Sequence, residues 1–550
     1  MMQALRYKVL LEAIESFVRN AFNVQVLDES SIDYGGFRCP DHLVCEPWSA
    51  INAFTTMTIL FLNPKSQYYH SPDLLKSMKM AFQFINRSLN DDGSMNVYFS
   101  GEMKTKSNLV FVINTLIKSY RLLLKDNTEE DLHNQLGTLI KKGIDTLKSF
   151  PTENSTQKLA IASVLIDFDK LFFDRPASDK AMDYLTDRLD INHDGMYSDR
   201  SLNSSMLSNA MLLNVAKKTN KIYLIDYVRR NLNFTLYNLR QDGEFAPDCM
   251  MKMETENAPT SGYSTWKEMS IIDHNGYYAT AGDMLIDSFL NSIKDGFAHC
   301  HSDMPDIIHD FRDYSRFLLT SSIGELLLVE DELNNDNINR LPLPSHYEKT
   351  FANSKIARIK NGKMNATVMA ERNLFSLENG QVVINHFRIR YKYYGYHDFI
   401  PKRLELTSGA YILRDWFRHT DTGNENSIID VSQANLIIQA EFSYRHDHFE
   451  ILVSATGERG VAFLLEFGIK RVGAISIGDK EYDFNNTDLI FMDSGEAIIK
   501  AGDDVIRICG GMVQHRIYCK EDLWIKDIRN VNIVVTPIVP FTSKFQIFWG

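Results

Sequence analysis

The chain has few cysteines and no long run of hydrophobic residues. Six cysteines in 550 residues are too few for a disulfide framework, so we expect a reducing compartment. No stretch of about 18 apolar residues occurs, and no membrane-spanning helix is predicted. Arg6, Lys8, Glu12 and Glu15 interrupt the apolar residues of the N-terminus, which lacks the core of a signal peptide. The sequence therefore predicts a cytoplasmic protein, or a periplasmic or secreted one if a leader was removed.

Positive charge is also in deficit. The 59 Lys and Arg residues stand against 71 Asp and Glu, a formal net charge of −12. This balance argues against non-specific binding of nucleic acid, which needs a basic face. An anionic small substrate stays open, because a cleft can be basic inside an acidic protein. Between residues 381 and 420 the balance reverses, with seven Lys and Arg against three Asp and Glu. The sequence gives no indication of the oligomeric state.

The chain changes character near residue 340. Its length predicts two or three domains. Before this point, apolar residues recur at helical spacing, as in 155–173 and 203–219, and short polar connections separate the segments. About ten helices joined in this way predict helical hairpins that pack side by side, in a ring or in a bundle.

A Pro-containing linker is predicted at residues 339–350, and apolar residues alternate after it. Asn361-Gly362 and Asn379-Gly380 separate alternating runs, which is the strongest local signal for a β-hairpin. About a dozen such runs predict an antiparallel β-sandwich. The predicted domains are a helical domain at 1–338, the linker at 339–350 and the sandwich at 351–550.

Three segments resemble the heparinase II/III-like polysaccharide lyases. They are "SIDYGGFRCPDHLVCEPW" (31–48), "DINHDGMYSDRS" (190–201) and "FSLENGQVVINHFRIRYKYYG" (375–395). The resemblance implies an N-terminal (α/α) toroid, an incomplete toroid of helical hairpins, followed by a C-terminal antiparallel β-sandwich. It also implies cleavage of a uronic-acid-containing poly- or oligosaccharide by β-elimination. No cofactor is required for that reaction, although some members hold a structural metal.

β-Elimination needs a group that neutralises the uronate carboxylate, a base for the C5 proton and an acid for the leaving oxygen. By resemblance, Asn209 in "MLSNAMLL" takes the place of the neutralising amide. The alternative is a buried amide bonded to a neighbouring loop. The resemblance places the tyrosine acid or base in 261–281, where Tyr263, Tyr277 and Tyr278 are the candidates. In the same segment the candidate substrate-binding residues are Trp266, Lys267 and His274. Rings that simply pack in the core are the alternative for the tyrosines.

A basic row follows in "VVINHFRIRYKYYGYH". Strand alternation places His386, Arg388 and Arg390 on one face. His386 is a candidate catalytic residue, and the two arginines suit an anionic sugar. The alternative is a charged row on a solvated outer face of the sheet. Two further candidates for substrate binding follow on the same stretch, Tyr394 and His397.

Two segments suggest metal sites. The loop at 190–201 begins like a calcium loop with Asp190, Asn192 and Asp194, but its twelfth position is Ser201 instead of a bidentate Glu. We therefore interpret it as a turn, followed by a helix that Asn203 or Ser204 caps. A second segment, "CPDHLVC", carries Cys39, His42 and Cys45. A structural zinc needs four ligands and no fourth is evident nearby, so a metal is not favoured there.

Two other functions stay open. A toroid glycoside hydrolase would need two carboxylates beside the scissile bond, for which the chain offers Asp194, Asp199, Glu244 and Asp273. A non-catalytic glycan-binding protein on a degenerate lyase scaffold is the other alternative. Elimination leaves an unsaturated product that absorbs in the ultraviolet, and this distinguishes it from both.

Overall fold

The computed structural model divides into two compact units, whose boundary lies between Leu343 and Pro344. We describe each unit by itself. The described residues are 2–38, 44–97, 103–105, 108–126, 129–152, 154–186, 189–239, 258–298, 314–333, 337–393, 395–418, 435–484, 486–516 and 529–550.

The first unit is helical. Its described helices are α1 (Met2–Val24), α2 (Pro47–Phe61), α3 (Pro72–Ser88), α4 (Leu109–Asp126), α5 (Glu130–Lys148), α6 (Ser155–Phe172), α7 (Arg175–Thr186), α8 (Leu202–Thr219), α9 (Tyr223–Leu236), α10 (Ala258–Ile272), α11 (Gly276–Ala298) and α12 (Tyr314–Glu332). A short hairpin is formed by β1 (Met95–Val97) and β2 (Met103–Thr105). The helical spacing at 155–173 and 203–219 therefore predicted α6 and α8 correctly. None of the described helices is long and apolar enough to cross a membrane.

Helices α3 and α6 begin at ordinary capping residues. The side chain of Ser71 accepts a hydrogen bond from the Leu74 amide at the start of α3, where Pro72 takes the first helical position. Asn154 caps α6 in the same way. The helix ends in a left-handed residue, Phe173, with φ 57°. Local sequence therefore sets these boundaries before any packing is considered.

The series of helices closes on itself. Helix α12 packs against α1 and α2, and α1 also contacts α11. Arg6 on α1 joins Asp283 and Asp287 on α11 at 2.7 Å each. Every residue of α2 is buried, and its threonine hydroxyls donate to carbonyls one turn back, such as Thr58 to Phe54 at 2.8 Å. A helix that is buried on all sides lies among its packing neighbours and not at the surface.

The second unit is an antiparallel sandwich of two nine-stranded sheets. Its described strands are β3 (His346–Phe351), β4 (Ile356–Asn361), β5 (Met364–Met369), β6 (Phe375–Asn379), β7 (Val382–Lys392), β8 (Tyr396–Asp398), β9 (Leu404–Thr407), β10 (Ala410–Arg418), β11 (Asn435–Tyr444), β12 (His448–Gly457), β13 (Ala462–Lys470), β14 (Ala474–Ile477), β15 (Lys480–Tyr482), β16 (Leu489–Phe491), β17 (Glu496–Ala501), β18 (Asp504–Cys509), β19 (Asn530–Val535) and β20 (Phe541–Trp549). Strand β3 thus begins inside the segment predicted as a linker. The predicted fold class, a helical toroid followed by a β-sandwich, is confirmed.

One sheet has the strand order β15-β14-β17-β18-β20-β12-β11-β10-β9, and the other has β16-β19-β13-β7-β6-β5-β4-β3 with β8 beside β7. Apolar side chains of both sheets, such as Phe387, Phe442 and Phe545, form one buried core. Only β16 and β19 pair in parallel among the described strands. The two predicted Asn-Gly hairpins are confirmed, and they connect β4 to β5 and β6 to β7. Their glycines, Gly362 and Gly380, have φ of 61° and 58°, as such turns require.

Candidate functional site

Asn209 lies in the core of the helical unit, with 0% of its surface exposed. Its amide nitrogen donates to Asn231 Oδ1 at 2.7 Å, and its carbonyl oxygen accepts from the Tyr197 hydroxyl at 3.1 Å. Asn231 in turn donates to the Gly195 carbonyl at 2.7 Å. Both ends of the Asn209 amide are therefore engaged inside the protein. This geometry favours a structural role, and its catalytic role stays a prediction.

The loop at 190–201 is a backbone turn. The side-chain oxygen of Asn192 accepts hydrogen bonds from the amides of Asp194, Gly195 and Met196, each at 3.0 Å. Gly195 has φ 100°, and a Cβ there would lie 2.1 Å from the Arg230 carbonyl oxygen of α9. The turn can therefore pack closely against α9 only with glycine at this position.

The predicted capping residue of α8 was wrong. Ser201, and not Asn203 or Ser204, caps α8, since its hydroxyl accepts from the Ser204 amide at 3.3 Å. Ser201 adopts an extended backbone at the helix start (φ −95°, ψ 128°), which is the conformation that a capping residue needs.

Tyr263 and Lys267 form a buried cluster with Glu330 of α12. The Tyr263 hydroxyl donates to Glu330, and Lys267 Nζ lies 3.1 Å from both the Tyr263 hydroxyl and Glu330 Oε1. Burial, followed by the nearby Glu330 carboxylate, raises the pKa of Tyr263 above its ordinary value. The tyrosine is therefore held protonated, and the cluster ties α10 to α12.

Tyr278 lies at the start of α11 and is close to the surface at its hydroxyl. Its ring makes an edge contact with the fully buried Trp266, with centroids 5.4 Å apart. Its hydroxyl donates to the exposed Asn233 at 2.8 Å. Burial raises the pKa of Tyr278 to about 12. A tyrosine with a raised pKa can donate a proton to a leaving group, but it is a poor base.

Tyr277 and His274 are exposed and lie close to Tyr278 in the sequence. Tyr277 is 39% exposed, and His274 adopts a left-handed backbone with φ 47°.

Asp273, a carboxylate of the alternative hydrolase, is bound by Arg229 through both oxygens, at 2.7 to 3.0 Å. Both oxygens of this carboxylate are therefore engaged by the guanidinium inside the protein. Glu244, another of the hydrolase candidates, lies outside the described residues.

Within the described residues, no hydrogen bond joins Asn209 to the candidate tyrosines. The helical unit therefore offers two separate clusters, one around Asn209 and one at the start of α11.

In the β unit, the predicted basic row is present on β7. His386, Arg388 and Arg390 all approach Glu466 of β13, at 2.8, 3.9 and 3.6 Å. They therefore share one face, as alternation predicted. The face is not a solvated surface, because His386 is 3% exposed and Arg390 is 4% exposed.

His386 is held by one carboxylate. Its Nε2 lies 2.8 Å from Glu466 Oε1. Burial lowers the pKa of His386, since the charged imidazolium loses water. The pKa of Glu466 is lowered as well, because its bond to His386 and the charge of Arg390 outweigh its burial. An ionised carboxylate can only accept a hydrogen bond, so Nε2 carries the proton and Nδ1 keeps its lone pair.

The two arginines differ in their partners. Arg390 also contacts Asp398, at 3.1 Å, whereas Arg388 donates to Asn373 at 2.5 Å and is 20% exposed at its side chain. Burial lowers the pKa of Arg388, but a guanidinium stays charged at neutral pH. His397 stacks on Tyr391, with centroids 5.4 Å apart. Tyr394 lies outside the described residues.

Of the three candidate ligands in the segment predicted as a weak metal site, only Cys45 is described. Cys39 and His42 lie outside the described residues. Cys45 is fully buried, and this burial raises the pKa of its thiol to about 12. A protonated thiol is a poor metal ligand, because the thiolate is the binding form. Among the described residues, no group of three or more His, Cys, Asp or Glu side chains could hold a metal ion.

Glu466 and Gly468 are the residues that the sequence did not reveal. Glu466 stands within "VAFLLEFGI", where a lone acidic residue in an apolar strand signals a buried charge with a partner. A Cβ on Gly468 would lie 2.2 Å from the His386 ring. The contacts of Glu466 and Gly468 with His386 both follow from the pairing of β7 with β13. In this pairing Arg388 lies opposite Glu466, and His386 lies opposite Gly468.

The structure is similar to several polysaccharide lyases. A xanthan lyase of Paenibacillus aligns with all of this chain at 10% identity and a TM-score of 0.62, and the chain spans 57% of its length. A chondroitin AC lyase of Streptomyces coelicolor A3 aligns with 99% of this chain and 79% of its own, at 10% identity and a TM-score of 0.55. A heparan sulfate lyase HepC mutant of Pedobacter heparinus aligns with 98% of this chain and 83% of its own, at 9% identity and a TM-score of 0.53.

No family model matches the sequence, and no curated protein matches it. The likeness is therefore one of fold. It confirms, at that level, the resemblance to heparinase II/III-like polysaccharide lyases that the three sequence segments predicted.

Proposed function

We propose that this protein is a polysaccharide lyase that cleaves a uronic-acid-containing glycan by β-elimination. The observation that carries the proposal is the arrangement of His386, Glu466 and Arg388 on a fold similar to that of polysaccharide lyases. The imidazole is neutral at ordinary pH, because burial lowers its pKa. Glu466 holds the ring through Nε2, so Nδ1 carries the lone pair that can take a proton.

In this mechanism, Arg388 neutralises the uronate carboxylate, which acidifies the proton at C5. His386 removes that proton through Nδ1, and the bond from C4 to the leaving oxygen breaks. The products are an unsaturated uronate and a free hydroxyl on the other sugar. The leaving oxygen takes its proton from solvent, and a catalytic role for Tyr278 stays a separate prediction. Arg388 is better placed than Asn209 to neutralise the carboxylate, since the Asn209 amide is engaged on both sides.

The test is a screen of uronic-acid glycans for a product that absorbs in the ultraviolet. Wild-type protein is expected to release unsaturated product from at least one of them. His386→Gln is expected to lose turnover by about 100-fold or more, because general base catalysis contributes about 10²–10⁴. Glutamine can still donate to Glu466, so the variant is expected to fold.

His446→Ala is the matched control, since His446 is an exposed histidine of the same unit. Its turnover is expected to equal that of wild type. Full turnover in His386→Gln would contradict the assignment of the base, and hydrolysis without unsaturated product would contradict the lyase.

A further inference from the structure

Arg390 on β7 is a charged side chain in the interior of the β unit. It is 4% exposed, so it offers little surface to a sugar, although the sequence made it a candidate for substrate binding. Burying a guanidinium is costly unless carboxylates lie around it. The mechanism proposed above gives this buried charge no task.

Two carboxylates flank Arg390. Asp398 Oδ1 lies 3.1 Å from its Nε, and the other oxygen of Asp398 lies 3.0 Å from Nε of Arg372. On the opposite side, Glu466 Oε2 lies 3.6 Å from Nη1 of Arg390. Strand pairing fixes both contacts, because this part of β7 lies between β8 and β13. All of these contacts lie within the second unit, and they hold the charge of Arg390 beside the carboxylate that binds His386.

The surroundings of His386 carry excess positive charge. Among the described residues, the charged groups that act on its ring are Glu466, Arg388 and Arg390. Strand β19, on the far side of β13, places the apolar Val534 opposite Glu466. A buried carboxylate beside an imidazole draws a proton onto the ring and forms an ion pair. Each guanidinium opposes this, since it repels an imidazolium and stabilises the bare carboxylate.

The two arginines differ in whether their charge persists when substrate is bound. Arg388 is 20% exposed at its side chain, and in the proposed mechanism it pairs with the uronate carboxylate. The negative charge of the substrate then cancels the effect of Arg388 on the ring. Arg390 is buried, and its partner Asp398 is shared with Arg372, so this group of three keeps a net positive charge. Arg390 is therefore the cation that still acts on His386 in the complex.

We propose that Arg390 is a positioning residue that keeps His386 neutral, with the proton on Nε2 and the lone pair on Nδ1. Glu466 then stays a bare carboxylate and accepts a hydrogen bond from Nε2. That the lone pair acts as a base rests on the proposed lyase function, whereas the protonation state of the ring does not.

The experiment follows His386 by NMR of protein labelled with ¹⁵N in its histidine rings, titrated from about pH 9 to pH 5 without substrate. The chain has 15 histidines, and the signals of His386 are identified by their loss in His386→Gln. In wild type we expect a neutral ring with its proton on Nε2 at about pH 7, and protonation with a midpoint below the ordinary value of about 6.5. In Arg390→Gln, whose amide can still donate to Asp398, this midpoint is expected to rise by about 1 pH unit or more.

Two further variants control for loss of structure. Arg390→Lys keeps the cation and is expected to raise the midpoint less than Arg390→Gln does. Arg507→Met removes a half-exposed arginine of the other sheet, on β18, and its midpoint is expected to equal that of wild type. If Arg390→Gln does not fold, Arg390→Met fills the same space with apolar atoms and has the same expected result.

A midpoint in the neutral Arg390 variant that equals that of wild type would overturn the proposal. A wild-type ring that carries its proton on Nδ1 would overturn it as well. The titration needs no substrate, so the two proposals fail separately. The expected titration without unsaturated product from any glycan would refute the lyase alone, and product formation with an unchanged midpoint in Arg390→Gln would refute the positioning role alone.

Discussion

Replacing Asn209 by alanine separates a structural role from a catalytic one. The substitution removes the acceptor of the Tyr197 hydroxyl and the donor to Asn231. Each buried group left without a partner costs about 1–3 kcal/mol. Asn231 Oδ1 keeps a weak contact with the Thr235 hydroxyl at 3.4 Å, so the lower half of that range applies to it. We expect Asn209→Ala to lower the free energy of unfolding of the helical unit by about 2–5 kcal/mol.

Urea denaturation followed by far-ultraviolet circular dichroism measures this change, because the described helices all lie in the first unit. Asn134→Ala is the control, since Asn134 is an exposed asparagine on α5. Exposed substitutions change stability by about 0.5 kcal/mol or less. A double variant with Asn231→Ala is expected to cost less than the sum of the two single variants. A cost for Asn209→Ala below about 0.5 kcal/mol, together with lost turnover, would refute the structural role and favour direct contact with substrate.

Three further predictions follow from the buried groups. Gly468→Ala places a Cβ 2.2 Å from the His386 ring, so it is expected to reduce turnover and to cost about 1–3 kcal/mol of stability, measured by denaturation. His386 has a lowered pKa, so its neutral form stabilises the fold at neutral pH and this contribution is lost as the pH falls below the unfolded value of about 6.5. Melting curves between about pH 8 and pH 5, the range in which histidine titrates, are expected to show that loss in wild type and a smaller one in His386→Gln. Lys267→Met leaves Glu330 buried without its cation and is expected to cost about 3–5 kcal/mol, whereas adding Glu330→Leu is expected to recover part of that stability.

Local features of the fold could be predicted from the sequence. The Asn-Gly pairs at 361–362 and 379–380 determine their own turns, and the apolar spacing of α6 and α8 is visible within each segment. The loop at 190–201 was correctly interpreted as a turn, because its side-chain and backbone bonds all lie within a few residues. Its cap was misplaced by two or three residues, since several polar residues in a row compete for the same position.

The partners of the candidate site residues could not be predicted. Glu466 lies 80 residues from His386 in the chain, and only the pairing of β7 with β13 brings them together. The sequence marks Asn209 as unusual among apolar residues, but burial of the amide depends on Asn231, which lies 22 residues away on another helix. Spacing shows that a polar group is out of place, and the tertiary structure decides whether a substrate or another side chain satisfies it.

The closure of the helical series has a consequence for synthesis of the chain. Arg6 is 3% exposed and its carboxylate partner Asp287 is 281 residues away. At about 5–20 residues per second, a ribosome adds that length in roughly 14–56 s. During this interval α1 has neither its acidic partners nor the surfaces of α11 and α12. Helix α1 is therefore made well before α11 and α12, against which it packs, and the part of its apolar stripe that they cover is without that cover during this interval.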